Sequence, residues 1–335
     1  MTAPLDGHPI TDIRAILGND WFDPQGNPVE LPYIYQSEVR SFTYDFGFSG
    51  LTSSERSALR SITEDAFALI ESFSNVTFTE GFSADHFDID HVASRGSSGW
   101  ASWSAWDWNG NADIDQLSGR AEIGTNALNP YLIYHEIGHL MTLEHTGPRQ
   151  NPEVFPFLEA AYRNNNYTVM HYDEGGSGQA DGMWDYRSFG ILDVYALQLR
   201  FGANTATFAG DDTHDAASLW GENEGYLVTL WDAGGRDRLD FGGTARDQLI
   251  DLREGRFSDA GDTPGAAPGV AVGDPLDLDY TQPDYNLAIA YGAEIEEAVG
   301  GAGDDVLFGN GLGNVLIGGD GNDLLYGDGP GDGLA

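Results

Sequence analysis

Behind Thr52-Ser53-Ser54-Glu55 the apolar residues Ala58, Leu59, Ile62, Ala66, Leu69, Ile70 and Phe73 recur with helical spacing. A Thr followed three places on by Glu is a capping box, in which each side chain satisfies the other's free backbone N–H. A helix is therefore predicted from about residue 53. Asn75-Val76-Thr77-Phe78-Thr79-Glu80 then alternates, as a half-buried strand does. Residues 96–128 are rich in Trp, Gly and Asn. They predict short strands and loops, ending in a strand at Ala121-Glu122-Ile123-Gly124. Asn129-Pro130 opens the next helix, an N-cap followed by proline at the first helical position. Tyr131, Leu132 and Ile133 fill its apolar side. A connection of about thirty residues follows, long enough to be functional in itself. A third helix is predicted from roughly Asp185 to Phe201, with Leu192, Ala196 and Leu199 on one side and Gly202 as its stop. Residues 1–50 lack either period and read as an extended arm.

The pattern changes after about residue 205, and from Trp231 onward Gly and Asp dominate. Residues 300–308 read Gly-Gly-Ala-Gly-Asp-Asp-Val-Leu-Phe and residues 318–326 read Gly-Gly-Asp-Gly-Asn-Asp-Leu-Leu-Tyr. A worn copy, 309–317, lies between them with Asn314 in the Asp place, and 327–335 is a fourth with Asp332. Leu307, Leu316, Leu325 and Leu334 recur at a strict nine, which a flexible linker has no need for. Each copy makes sense as half a turn of a coil. The glycines turn tightly, the apolar residue points inward, and carboxylates with Gly carbonyls offer hard oxygen ligands to Ca²⁺. This is the parallel β-roll repeat of RTX proteins. Candidate Ca²⁺ ligands are Gly301, Gly303, Asp305, Asn314, Gly318, Gly319, Gly321, Asp323 and Asp332. An isolated upstream copy adds Asp232, Gly234, Gly235 and Asp237.

Composition narrows the partners. The 335 residues suffice for two domains, and 12% aromatics exclude a disordered acidic tail. A formal net charge of −39 makes nucleic acid and anionic membranes poor partners and cations the natural counterpart. All 15 basic residues are arginine, which suits a salty setting or follows from genome base composition. Without cysteine there are no disulfides and no thiolate metal sites. No apolar run is long enough to span a bilayer. The N-terminus lacks the basic and apolar parts of a secretory signal, so the chain is expected to be cytosolic or exported by a route not read there.

Chemistry concentrates in His135-Glu136-Ile137-Gly138-His139-Leu140-Met141-Thr142-Leu143-Glu144-His145. Histidines four apart share one helix face and can grip one metal ion. Glu136 is placed to take a proton from a metal-bound water, and His145 could close a three-histidine site with an open fourth position. Three neutral imidazoles suit Zn²⁺, and the expected reaction is amide hydrolysis with Glu136 as general base.

The long motif resembles the zinc signature of the metzincin peptidases, His-Glu-x-x-His-x-x-Gly-x-x-His. Tyr167-Thr168-Val169-Met170-His171-Tyr172 resembles that clan's methionine turn. Followed by RTX nonapeptides, the site is similar to that of serralysins, secreted bacterial metalloproteases. Val76–Glu80, Phe201-Gly202-Ala203-Asn204, Trp231–Gly235, Phe257-Ser258-Asp259 and Ile295–Gly301 resemble serralysin segments too. The resemblance covers about residue 40 to the end, most densely from 130 onward.

It implies an α+β chain: a metzincin-type zinc protease domain of mixed sheet plus helices over 1–210, then an all-β Ca²⁺-binding β-sandwich and parallel β-roll over 211–335. Met170 would lie beneath the metal, and Tyr172 would be a labile extra zinc ligand that swings out to stabilise the oxyanion. Further Ca²⁺ ligands would come from Gly210, Asp212 and Glu296. Protein or peptide substrates, a dedicated inhibitor, type I export machinery, extracellular location and a monomeric state are also implied.

Some residues depart from the family. Its glycine in the zinc motif is Thr142 here, where the helix should break with a positive φ that a β-branched residue resists. Either the turn differs or Thr142 is strained. His171 stands in place of a serine, as a spare imidazole or simply a loop residue. Thr146 replaces a proline, and Phe208 an arginine. The last nonapeptide ends at Ala335, where serralysins continue, which reads as a truncated, a processed or a shortened form. The competing function is an RTX Ca²⁺-dependent binding or adhesion protein whose protease domain is degenerate at Thr142.

Overall fold

A computed structural model describes residues 37, 39–106, 114–125, 130–146, 166–171, 188–221, 227–262 and 285–327. The expected ligands Tyr172 and Asp332, together with Leu334, lie outside them. The chain divides into two compact units, Met1–Asp185 with Leu192–Ala203, and Tyr186–Ile191 with Asn204–Ala335.

The first unit is built on a five-stranded sheet. Its strands are β1 (Ser41–Ser49), β2 (Thr77–Glu80), β3 (His86–Val92), β4 (Gly99–Trp106) and β5 (Gln116–Gly124), in the order β2-β1-β3-β5-β4. Neighbours pair in parallel except β4, which runs antiparallel to β5 at the edge. Alternation sends Phe42, Tyr44, Phe87, Ile89, Leu117, Ala121 and Ile123 to a buried face. Thr43, Asp45, His86, Asp88, Ser118 and Arg120 take the other. The predicted strand at 121–124 is the end of β5, and β4, an eight-residue strand in the Trp-rich stretch, was read only as short strands and loops.

Helix α1 (Ser53–Phe73) begins at the expected capping box: Thr52 accepts from the Glu55 backbone and Glu55 from that of Thr52. Its apolar stripe, Leu59, Ala66, Phe67, Ile70 and Phe73, is buried. Phe67 stacks on Phe78 at 4.3 Å between centroids. Each such large side chain contributes roughly 2 kcal/mol by leaving water. Helix α2 (Pro130–Leu140) starts at the expected proline, but it has no solvent-facing polar side. His135, Glu136 and His139 are buried along with Tyr131, Ile133, Tyr134, Ile137 and Leu140. Close approach to the sheet requires Gly119, where a Cβ would lie 2.7 Å from Leu140. Helix α3 (Ile191–Phe201) ends at Gly202 with φ 82°, as expected, but starts late. Residues 188–190 are not helical because Ser188 Oγ and the Phe189 carbonyl accept from Thr229 N–H and O–H in the second unit.

In the second unit β7 (Val228–Leu230), β10 (Phe257–Ser258) and β11 (Leu287–Ile289) form one small sheet, and other short strands repeat at nine-residue intervals. β12 (Glu297–Val299), β13 (Val306–Phe308), β14 (Val315–Ile317) and β15 (Leu324–Tyr326) are centred on the eighth position of each repeat, counting back one period to Ala298. They alternate between two parallel sheets, so Ala298 pairs with Leu316 and Leu307 with Leu325, one full coil apart. The isolated upstream copy joins the same stack. Its strand β8 (Arg238–Asp240) places Leu239 opposite Ala298, while β6 (Thr213–Asp215) lies beyond β8 and β9 (Leu249–Asp251) lies beside β13. Leu239, Ile250, Ala298 and Leu307 are fully buried, whereas Leu325 is 47% exposed. Among the described residues no strand lies beyond β14 or β15.

Candidate metal centre

The end of α2 decides where His145 goes. Thr142 N–H donates to the His139 carbonyl at 2.9 Å and Leu143 N–H reaches back to Gly138 at 2.9 Å. These two bonds form a Schellman motif, which needs a left-handed residue between them. Thr142 takes that place with φ 71°. The turn is thus the one a glycine would make, and the threonine is strained in it. Its buried hydroxyl has no hydrogen-bond partner among the described residues.

The chain then brings His145 back to the helix. His145 Nε2 lies 3.0 Å from Nε2 of His135 and 3.0 Å from Nε2 of His139. The other nitrogens are tied to backbone: His135 Nδ1 donates to the Val169 carbonyl at 2.7 Å and His139 Nδ1 to the Leu143 carbonyl at 2.8 Å. Those bonds set the tautomers and leave the Nε2 lone pairs converging. Burial pushes His135 down to about 4, only partly offset by the Val169 hydrogen bond, so its ring is neutral. Neutral imidazole nitrogens at this spacing repel one another unless a cation lies between them, so the residues fit a Zn²⁺-type ion.

Glu136 follows His135 and is 1% exposed. Burial pushes its carboxyl up to about 8, with Arg95 opposing. A divalent cation nearby would draw it down again. Its side chain occupies the space above Gly99 at the start of β4, where a Cβ would lie 2.4 Å from Oε1. Met170 is fully buried, and its sulfur lies 2.7 Å from where a Cβ on Gly138 would stand.

Several positioning residues escaped the sequence reading. Asp193, buried in the first turn of α3, accepts from Thr168 Oγ1 at 2.6 Å and from Val169 N–H at 2.7 Å. It thereby holds the segment whose Val169 carbonyl orients His135. An Asp in a first helical turn is common, so only the fold singles it out. Gly99 and Gly138 carried no signal at all. His171 is not in the three-nitrogen cluster, and its carbonyl accepts from the Tyr131 hydroxyl at 2.7 Å.

The expected Ca²⁺ ligands fall in the second unit. Asp212, Asp232 and Asp237 converge, with carboxylate oxygens within 4.8 Å of one another. Burial raises the Asp237 carboxyl most, and Asp232 and Glu296 add to it. Glu296 accepts from Asp237 N–H at 2.8 Å. Gly210 approaches Gly235, where a Cβ would lie 1.9 Å from the Gly210 carbonyl, and Gly234 has φ 122°. Phe208, exposed, meets His214 edge-on at 4.9 Å. In the repeats Asp305 accepts from Gln248 N–H and Asp323 from Asp305 N–H, each carboxylate reaching a neighbouring coil. The Gly301 and Gly303 carbonyls lie against Gly319 and Gly321 of the next coil, and Gly318 against Asp323. Asn314 accepts from Asn310 N–H at 2.8 Å.

A buried helix carrying His-Glu-x-x-His and a third histidine returned by a left-handed turn thus bring three imidazole nitrogens together in an α+β chain. Comparison with known proteins shows what the chain is similar to. Residues 196–273 match the family model for the peptidase M10 serralysin C-terminal region. Serralysin of Proteus mirabilis is 38% identical over 197 residues, covering 55% of this chain and 36% of that protein. Metalloprotease AprA of Pseudomonas entomophila (strain L48) is 31% identical over 331 residues, covering 89% of this chain and 63% of that protein. Metallopeptidase AprA of Pseudomonas marginalis is 32% identical over 325 residues, covering 88% and 63%. The chain is serralysin-like, and it spans less than two thirds of the length of these relatives. Among the described residues no helix is long and apolar enough to cross a membrane.

Proposed function

We propose that this protein is a secreted zinc endopeptidase, with a protease domain over about 1–210 and a Ca²⁺-stabilised domain over about 211–335. The observation that carries the reading is the convergence of His135, His139 and His145 through Nε2, with Nδ1 of His135 and His139 tied to backbone carbonyls. Zn²⁺ held there would supply Lewis acidity to a peptide carbonyl and to the attacking water. Glu136 takes the water's proton at its carboxylate and passes it to the leaving amine. Its apolar burial excludes bulk water from that transfer. Tyr172 is assigned the oxyanion by family resemblance alone. Asp212, Asp232, Asp237 and Glu296, with the repeat carboxylates and glycine carbonyls, would hold Ca²⁺. Substrates are proteins or peptides, in keeping with the names of the relatives.

Casein hydrolysis with and without a zinc chelator tests the activity. Chelator-sensitive hydrolysis is expected. Zinc binding without hydrolysis would favour the degenerate binding protein instead.

A further inference from the structure

The solvent-side face of the five-stranded sheet carries a second convergence of ligand atoms. β1 and β3 are parallel neighbours, with Thr43 opposite His86 and Asp45 opposite Asp88. All four side chains point away from the buried face that α2 covers. His86 Nε2 stands 3.5 Å from Asp45 Oδ1 and 3.4 Å from Asp88 Oδ1. A ligand atom from each of the three lies within 4.8 Å of the others. Nε2 is shut off from water and makes no hydrogen bond among the described residues.

The far side of the ring explains why. His86 Nδ1 lies 2.9 Å from Thr43 Oγ1. The Thr43 hydroxyl can donate to the Asp85 carbonyl at 3.2 Å or to Ser83 Oγ at 3.0 Å, which leaves it able to accept from Nδ1–H. The Nε2 lone pair is then aimed between two carboxylates, an arrangement that repels itself until a cation is shared. Phe82 stacks on the ring at 4.6 Å and holds its plane. The two separations from Nε2 to a carboxylate oxygen, 3.5 and 3.4 Å, each subtend a nearly tetrahedral angle at a centre about 2.1 Å from both atoms. One imidazole with two carboxylates, its second nitrogen bonded to a hydroxyl, is a donor set for a first-row divalent metal. We propose that Asp45, His86 and Asp88 form a second Zn²⁺ site. Its fourth position, taken by water, opens on a cleft of about 420 Å³ lined in part by Ser102, Ser104, Ser118 and Arg120. The site is independent of the three-histidine centre and of any peptidase activity.

Equilibrium dialysis of the metal-stripped full chain against Zn²⁺, with millimolar Ca²⁺ present to occupy carboxylate clusters, tests it by elemental analysis. The expected result is a zinc equivalent beyond the one bound through His135, lost in His86→Ala and retained in His135→Ala. Asp88 is 54% exposed, so Asp88→Asn should fold normally while weakening this site about tenfold or more. Co²⁺ loaded into His135→Ala should show the visible absorption of a tetrahedral site, and the His86→Ala/His135→Ala double variant should not. If His86→Ala and Asp88→Asn bind as much zinc as the parent, or His135→Ala binds none, the proposal is overturned. The cluster would then be a polar contact of His86 with Asp45 and Asp88 that holds no metal.

Discussion

Thr142 concentrates the conflict between sequence and site in one residue. A β-branched side chain at φ 71° costs on the order of 1–2 kcal/mol over glycine, and the buried hydroxyl adds to it. Glycine gives part of this back through chain entropy. Thr142→Gly should therefore raise unfolding stability by about 1 kcal/mol without loss of zinc, measured by thermal unfolding and elemental analysis. A drop in stability would mean the turn is not strained. Glu136 is the residue on which the proposed chemistry turns. Glu136→Ala should lower casein hydrolysis by about 10²–10⁴-fold with zinc still bound. Gly99→Ala should cost about a hundredfold, because a methyl there displaces the Glu136 carboxylate. Full activity in either variant would remove Glu136 from the role of base.

Among elements, α2 and α3 act as a pair. Helix α2 supplies two imidazoles, and α3 holds the 167–170 segment through Asp193. Asp193→Asn should weaken zinc binding about 10–100-fold, read by competition with a chromogenic chelator. An unchanged affinity would show that the segment holds itself. Strand β3 carries a different burden in His91, which is fully buried, faces Thr63 Oγ1 at 3.2 Å and stacks on Phe48. Burial pushes its pKa down to about 4, from 6.5 when exposed, with Asp90 opposing. The folded state therefore binds fewer protons than the unfolded one between those values. Stability should be full above pH 6.5 and fall by up to about 3 kcal/mol as pH drops toward 4. His91→Phe should flatten that window in denaturant titrations at stepped pH. An equal slope in the variant would assign the loss to other groups.

For the whole molecule the net charge of −39 is the dominant fact. In the second unit Asp212, Asp232 and Asp237 converge, with His214 Nε2 2.8 Å from Asp232 Oδ2, and the repeat carboxylates stack coil upon coil. Such a stack repels itself until cations neutralise it. Removing Ca²⁺ with a chelator should lower the β content and the melting temperature, and millimolar Ca²⁺ should restore both, followed by circular dichroism. Identical spectra in the two conditions would sink the Ca²⁺ reading.

Sequence alone determined whatever is local. The capping box at Thr52, the helix of His135 and His139, the stop at Gly202 and the nine-residue strand period follow from neighbours a few places apart, whose chemistry is written in order. The paired histidines were legible for the same reason, since a helix turns fixed spacing into one face. Tertiary structure decided what depends on distant segments meeting. It made β4 a full edge strand, started α3 late by bonding Ser188 and Phe189 to Thr229, and put Asp193 under the zinc-site segment. It stacked Leu239 of the isolated copy on Ala298, 59 residues away in the chain. It also settled Thr142, where bonds to His139 and Gly138 hold a threonine in a conformation its own side chain disfavours. Local propensity there amounts to about 1–2 kcal/mol, and the packed turn around it outweighs that.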